Sequence, residues 1–223
     1  MSKTKKIIVL DVEGVSGKRP YNVGFIVGDL KGNIYEQYSF AIMPAIWENL
    51  ASSMKTAQFT AKEMTHKNIK EILETPSKYD WSTIEQFMST LNSVIQTYNI
   101  KEIWAYNCTF DKNAISKLGD VPNVTWYDIW SAIVMTKCCS KKFVKFCKDN
   151  NFVTDKGNCK TSAEVVYAYL TKNSDFQEEH TGLSDCQIEY DILLTAKRTK
   201  KKIDGALKQP WKLVKQFCEE RGL

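Results

Sequence analysis

The sequence predicts an α/β fold in which a mixed sheet, antiparallel across its first three strands, is flanked by helices. Three observations carry this. A short β-branched run, "KKIIVLDVEG", opens the chain between lysines and a glycine. Two further strand-like runs, "VGFIVGDL" and "NIYEQYSFAIM", follow with only a Lys31-Gly32 turn region between them, so they predict a β-hairpin. Beyond them, segments with helical periodicity alternate with short strands, which is the pattern of a sheet covered by helices.

The elements follow in order. Residues 45–75 are helix-compatible without one clear apolar stripe. "DWSTIEQFMSTLNSVIQTYNI" predicts a helix from its first residues, because Trp81, Ile84, Phe87, Met88, Leu91, Val94, Ile95 and Tyr98 recur at three- and four-residue steps. "EIWAYN" reads as a strand, "TFDKNAISKL" as a helix, and "VTWYDIWSAIV" as a strand passing into a helix. "TSAEVVYAYL" opens with a Thr161-x-x-Glu164 capping box. The last strong helix is expected over about Ser184 to Lys200, with Ile188, Ile192, Leu193 and Ala196 inward.

A chain of 223 residues suits one α/β domain with elaborations. Hydrophobic residues at 43% and charged residues at 26% provide for a real core. The net charge of +5 is consistent with a polyanionic partner without requiring one. Seven cysteines show no disulfide spacing, and the loose group Cys138, Cys139, Cys147 and Cys159 lacks a zinc knuckle, so reduced thiols are expected. The apolar run before Asp11 is too short for a signal peptide, and no stretch approaches a membrane span, so a cytoplasmic protein without membrane contact is expected.

Three acidic motifs carry the chemistry. Asp11 and Glu13 lie two apart at the end of the first strand and share a face, with Val12 on the other. Two carboxylates side by side repel unless neutralised, and oxygen ligands suit Mg²⁺ or Mn²⁺; taken alone, the pair also fits a solvated strand end. In "AYNCTFDKNAI", Asn107 closes a strand and Asp111 falls in the first turn of the next helix. Ligands gather outside the carboxyl ends of such strands, although Asn107 as a plain helix cap and Asp111 as a dipole partner fit as well. The third motif is "HTGLSD". Five residues are about 140° around a helix, so His180 and Asp185 cannot converge on one helix. His180 must come from a loop, with Asp185 in the first helical turn; Thr181, Gly182 and Ser184 suit that junction. An imidazole there can accept a proton near neutral pH.

Asp11-x-Glu13, Asn107-x-x-Phe110-Asp111 and His180-x4-Asp185 together resemble, in order and context, the DEDDh exonucleases, the RNase H-like group that includes the proofreading ε subunit of bacterial DNA polymerase III and RNase T. The resemblance spans residues 7 to about 197. The sister subgroup carries a tyrosine four residues before the last aspartate, where this chain has Thr181. It implies an RNase H-like mixed five-stranded sheet in an exonuclease domain over residues 1–198. Residues 199–223 form a basic extension expected to be helical and packed on that domain. It also implies that Asp11, Glu13, Asp111 and Asp185 ligate two Mg²⁺ or Mn²⁺ ions per site and that His180 is the general base. Asp11, Glu13, Asp111, His180 and Asp185 are thus the expected catalytic set. Gly14, Val15, Asn107 and Phe110 are expected to bind substrate, with Phe110 stacking on or wedging against a terminal base. The expected reaction removes 5′-mononucleotides from the 3′ end of nucleic acid, DNA before RNA. A homodimer and an association with replication machinery both stay open. So does a catalytically weak module that docks on a polymerase or replication protein, although such a module has no need of the acidic set.

Three positions depart from the family. Gly14-Val15-Ser16-Gly17 stands where hydroxyl residues usually follow the first motif, Tyr106 where many relatives have histidine, and Gly182 where alanine is common. The last predicts a looser loop around His180. The basic stretch "AKRTKKKIDGALKQPWKLVKQF" reads equally as a phosphate contact and as a solvated face.

Overall fold

A computed structural model of the chain describes residues 4–15, 18–53, 59–198 and 209–223. Residues 199–208 of the basic stretch, with Lys200, Lys201, Lys202 and Lys208, lie outside the described residues. A single mixed sheet organises the rest. Strands β1 (Lys6–Glu13), β2 (Asn22–Asp29) and β3 (Ile34–Ile42) run antiparallel as a meander, as the sequence predicts. Beyond β1 lie β5 (Glu102–Ala105) and β6 (Thr125–Asp128), both parallel to their neighbours. On the far edge β4 (Asp80–Ser82) pairs with the end of β3, giving six strands in the order β4-β3-β2-β1-β5-β6.

The sixth strand corrects the reading of Asp80–Ser82 as the start of a helix. The helix instead begins after Thr83, whose side chain accepts from the Gln86 N–H while the Gln86 side chain accepts from the Thr83 N–H. That reciprocal cap fixes the start of α3 (Ile84–Tyr98) and leaves the preceding three residues free to extend along β3. Three residues are too few to show a strand period in sequence. Inside α3 the expected face is buried, from Phe87 and Met88 through Leu91 to Val94 and Ile95.

Alternation along β1 splits the core into two layers. Ile8, Leu10 and Val12 enter a core with β2, β3 and α3, joined by residues of α1 (Met43–Ser53) and α2 (Phe59–Glu74). Ile7 and Val9 enter the opposite core, built with α5 (Ile129–Ile133), α6 (Lys141–Asp149), α7 (Ala163–Thr171) and α8 (Gly182–Lys197). Both faces of β1 are therefore covered, which accounts for its unbroken apolar run. By the same alternation Asp11 and Glu13 belong to the face on which α8 lies.

Two helix starts differ in detail from expectation. The cap of α7 is Ser162, which accepts from the Val165 N–H; Thr161 instead accepts from the Trp130 indole, which draws it out of the capping position. Helix α8 begins at Gly182, two residues earlier than predicted, and buries Ile188, Ile192, Leu193 and Ala196 as expected. Trp104 is buried in β5, stacked on Tyr127. The short α4 (Cys108–Ile115) follows β5, and α9 (Trp211–Glu219) packs Val214 into the second core. None of the seven cysteines is in a disulfide. No described helix is long and apolar enough to cross a membrane.

Candidate active site

The site is assembled at the carboxyl end of β1. Asp11 and Glu13 project from its last turns of pleat toward α8. Asp111 stands in the first turn of α4, almost completely buried, and its carboxylate accepts the Val12 N–H. Asp128, which ends β6, accepts the Cys108 N–H at 3.0 Å and so anchors the start of α4. Asp185 lies in the first turn of α8, buried, with its N–H donated to the Thr181 carbonyl at 2.9 Å.

His180 precedes α8 on a turn with φ of 57°, a left-handed conformation uncommon for a residue with a side chain. Two asparagines hold it there. Asn68 of α2 donates to the His180 carbonyl at 2.8 Å, and Asn22 of β2 accepts the Gly182 N–H at 2.7 Å. The turn is thus pinned on both sides of the helix start. This corrects the expectation that Gly182 loosens the loop: Gly182 is buried against the backbone of Gly24, and a Cβ there would lie 2.4 Å from the Gly24 nitrogen.

Glu13, His180 and Asp185 each place one ligand-type atom within 4.8 Å of the others. Asp11 and Asp111 each leave Oδ2 buried and without a hydrogen-bond partner. Orphaned carboxylate oxygens are costly, and hard divalent cations are the partners that suit them. The chemistry of these oxygens fits a hard divalent cation.

The electrostatics agree. Burial first, then the charges of Glu189, Asp111, Glu13 and Asp185, push the Asp11 carboxyl well above the usual range. Burial and then Asp185, Glu178 and Asp111 do the same to Glu13. Burial outweighs the hydrogen bonds to Asp111 and raises it too, and burial lifts Asp185 to about 7. Burial pushes the His180 imidazole down; Glu164 opposes the shift and Lys67 adds to it.

Of the expected substrate residues, Gly14, Val15 and Phe110 line one cleft of about 300 Å³ beside the acids, with Lys18 and Lys117 on its rim. Phe110 is exposed, as a stacking residue must be. The Gly14 region is fixed by Asn49, which accepts the Val15 N–H at 2.7 Å and donates to the Arg19 carbonyl. Asn107 is not in that cleft. It is exposed, has φ of 61°, makes no side-chain cap, and faces a separate cavity of about 670 Å³ with Tyr106, Trp130, Lys156 and Trp211. Tyr106 donates its hydroxyl to the Thr161 carbonyl at 2.6 Å.

Four residues at the site are missed by motif reading: Asn22, Asn68, Glu178 and Glu189. Glu178 holds Oε2 3.9 Å from Nδ1 of His180, and burial, then Asp185 and Glu164, push it up to about 8. Glu189 is buried one turn beyond Asp185 and accepts the Tyr106 N–H at 3.2 Å. Its signal is legible: an acid four residues after Asp185, on the same helical face as Ile188, Ile192 and Leu193.

No protein-family model and no curated protein sequence matches the chain. Among solved structures it is similar to exonuclease X in complex with 5′ overhanging duplex DNA, with a TM-score of 0.50 and 15% sequence identity, over 93% of this chain and 99% of that one. The likeness is one of fold and covers nearly the whole of both chains.

Proposed function

We propose that the protein is a metal-dependent 3′–5′ exonuclease that hydrolyses phosphodiester bonds at the 3′ ends of single-stranded DNA and releases 5′-mononucleotides. The observation that carries this reading is the convergence of Asp11, Glu13, Asp111 and Asp185, drawn from β1, α4 and α8, with His180 on a pinned turn beside them. The fold likeness to an exonuclease described with DNA supports it.

In this reading Asp11, Glu13, Asp111 and Asp185 would hold two divalent ions, which would supply Lewis acidity and charge neutralisation at the scissile phosphate. His180 takes the proton of the attacking water. Burial, which holds its imidazole down, keeps it neutral and able to accept a proton near pH 7. The asparagine-held carbonyl and helix start fix the backbone from which the imidazole reaches the acidic pocket. Gly14 and Val15 line the cleft for the terminal nucleotide and Phe110 offers a ring face to its base, with Lys18 and Lys117 near the phosphates.

Chromatography of the products from a 3′-labelled oligonucleotide tests the polarity. Labelled 5′-mononucleotide as the first product supports the reading; a labelled nucleoside, or internal fragments first, overturns it. An intact substrate with Mg²⁺ and with Mn²⁺ would favour the docking-module reading instead.

A further inference from the structure

Glu189 has no role in the acidic set that the motifs define, yet it is among the most deeply buried acids in the protein. It sits on α8 one turn past Asp185, so the two carboxylates share the face that packs against β1 and β2. Its Oε2 accepts the N–H of Tyr106, the first residue beyond β5, at 3.2 Å. That bond fixes the carboxylate within electrostatic reach of Asp11 and Asp111. Among the described ion pairs Glu189 has no basic partner; the charged groups acting on it are Asp111, Asp185 and Glu178. It is in turn the foremost charge acting on Asp11. One backbone N–H is a weak recompense for burying a carboxylate among carboxylates, and a buried charge persists where something of opposite sign offsets it. The orphaned Oδ2 atoms of Asp11 and Asp111 mark where that opposite charge belongs.

We infer that Glu189 is a fifth acidic member of the divalent-cation site, a positioning residue that raises the affinity of Asp11 and Asp111 for Mg²⁺ or Mn²⁺ through its charge. The inference rests on the proposed metal-dependent function and extends it by one residue. An acid close to the ligands strengthens their negative field, and its bond to Tyr106 ties α8 to the end of β5. Loss of such an outer partner typically lowers metal affinity about 10–100-fold.

The test is Mn²⁺ binding to the full chain by calorimetry, with the metal-free protein as starting state. Glu189→Gln keeps a carbonyl oxygen for the Tyr106 N–H and removes only the charge. It should weaken Mn²⁺ binding about tenfold or more, and hydrolysis should recover toward the wild-type kcat as Mn²⁺ is raised. Glu189→Asp, which keeps the charge but shortens the reach to Tyr106, should stay within about threefold of the wild type in Mn²⁺ affinity. A merely structural residue would show the reverse order. Wild-type Mn²⁺ affinity in Glu189→Gln overturns the inference and leaves the proposed function standing. Absence of Mn²⁺ binding by the wild type overturns both. Should Glu189→Gln not fold, the Asp variant decides: an affinity loss of tenfold or more there would mean that position, not charge, is what Glu189 supplies.

Discussion

Gly24 of β2 and Gly182 of α8 meet backbone to backbone: a Cβ on Gly24 would lie 2.1 Å from the Gly182 carbonyl carbon and 2.2 Å from the Leu183 nitrogen. This contact sets the depth at which α8 enters the sheet, and therefore where His180 and Asp185 stand relative to Asp11 and Glu13. Gly24→Ala must push α8 outward, because the obstructing atoms are backbone. The expected cost is about 1–3 kcal/mol of stability, read by denaturant unfolding, with nuclease activity lost in the protein that remains folded. Wild-type stability and activity would show that α8 is not seated by this contact.

Asn68 holds the His180 carbonyl from the opposite side, across 112 residues of sequence. Asn68→Ala leaves that carbonyl unpaired and frees a residue kept at positive φ. A bond of this kind contributes about 1 kcal/mol, and 1.4 kcal/mol is tenfold in rate, so kcat should fall about fivefold. Mn²⁺ affinity, measured by calorimetry, should be unchanged, since none of the four acids is touched.

Asp111 is a buried carboxylate with one orphaned oxygen. Asp111→Asn removes a charge that repels its neighbours when no cation is present. Thermal unfolding in EDTA should therefore occur at a higher temperature than for the wild type, by about 2–4 °C for each kcal/mol gained. The stabilisation that Mg²⁺ confers on the wild type should vanish, and hydrolysis with it. A lower Tm in EDTA would mean that the carboxylate is satisfied without metal.

Asp29, far from the site, makes the opposite electrostatic case. Burial would raise its carboxyl, but hydrogen bonds from the Asn33 side chain, the Tyr35 hydroxyl and the N–H groups of Lys31 and Asn33 outweigh it and hold it down at about 2. A depressed folded value means stability that is present above the unfolded carboxylate range, near 4, and lost as pH falls through about 2. Asp29→Asn should lower stability at pH 7, and the deficit against the wild type should shrink between pH 4 and pH 2 in chemical denaturation. A deficit independent of pH would assign the effect to packing alone.

The meander, the two covered faces of β1 and the inward face of α3 were legible because each rests on a local pattern: a β-branched run, a turn between strands, a repeat at three and four residues. The sixth strand was not, because Asp80–Ser82 is extended by pairing with Phe40–Ile42 and not by its own residues. The motifs placed the acids and His180 in the right elements, since strand ends and helix first turns follow from spacing. They could not place Asn22, Asn68 or Gly24, whose roles come from contacts 112 to 160 residues distant. Asn107 shows the limit from the other side: its spacing matches the motif, yet backbone geometry turns it toward a different cavity from Phe110. Glu189 needed no tertiary knowledge, only the question of why an acid falls on an apolar helical face.

In the proposed function His180 is the proton acceptor of a metal-dependent nuclease acting at 3′ ends. The most direct measurement follows 5′-labelled single-stranded DNA and RNA oligonucleotides on a denaturing gel with Mg²⁺, Mn²⁺ or EDTA, for the wild type and His180→Ala. A ladder shortening from the 3′ end is expected with either metal, DNA before RNA, absent in EDTA and reduced about 10²–10⁴-fold in the variant. Undegraded substrate under every metal condition, or an unimpaired ladder from His180→Ala, would contradict it.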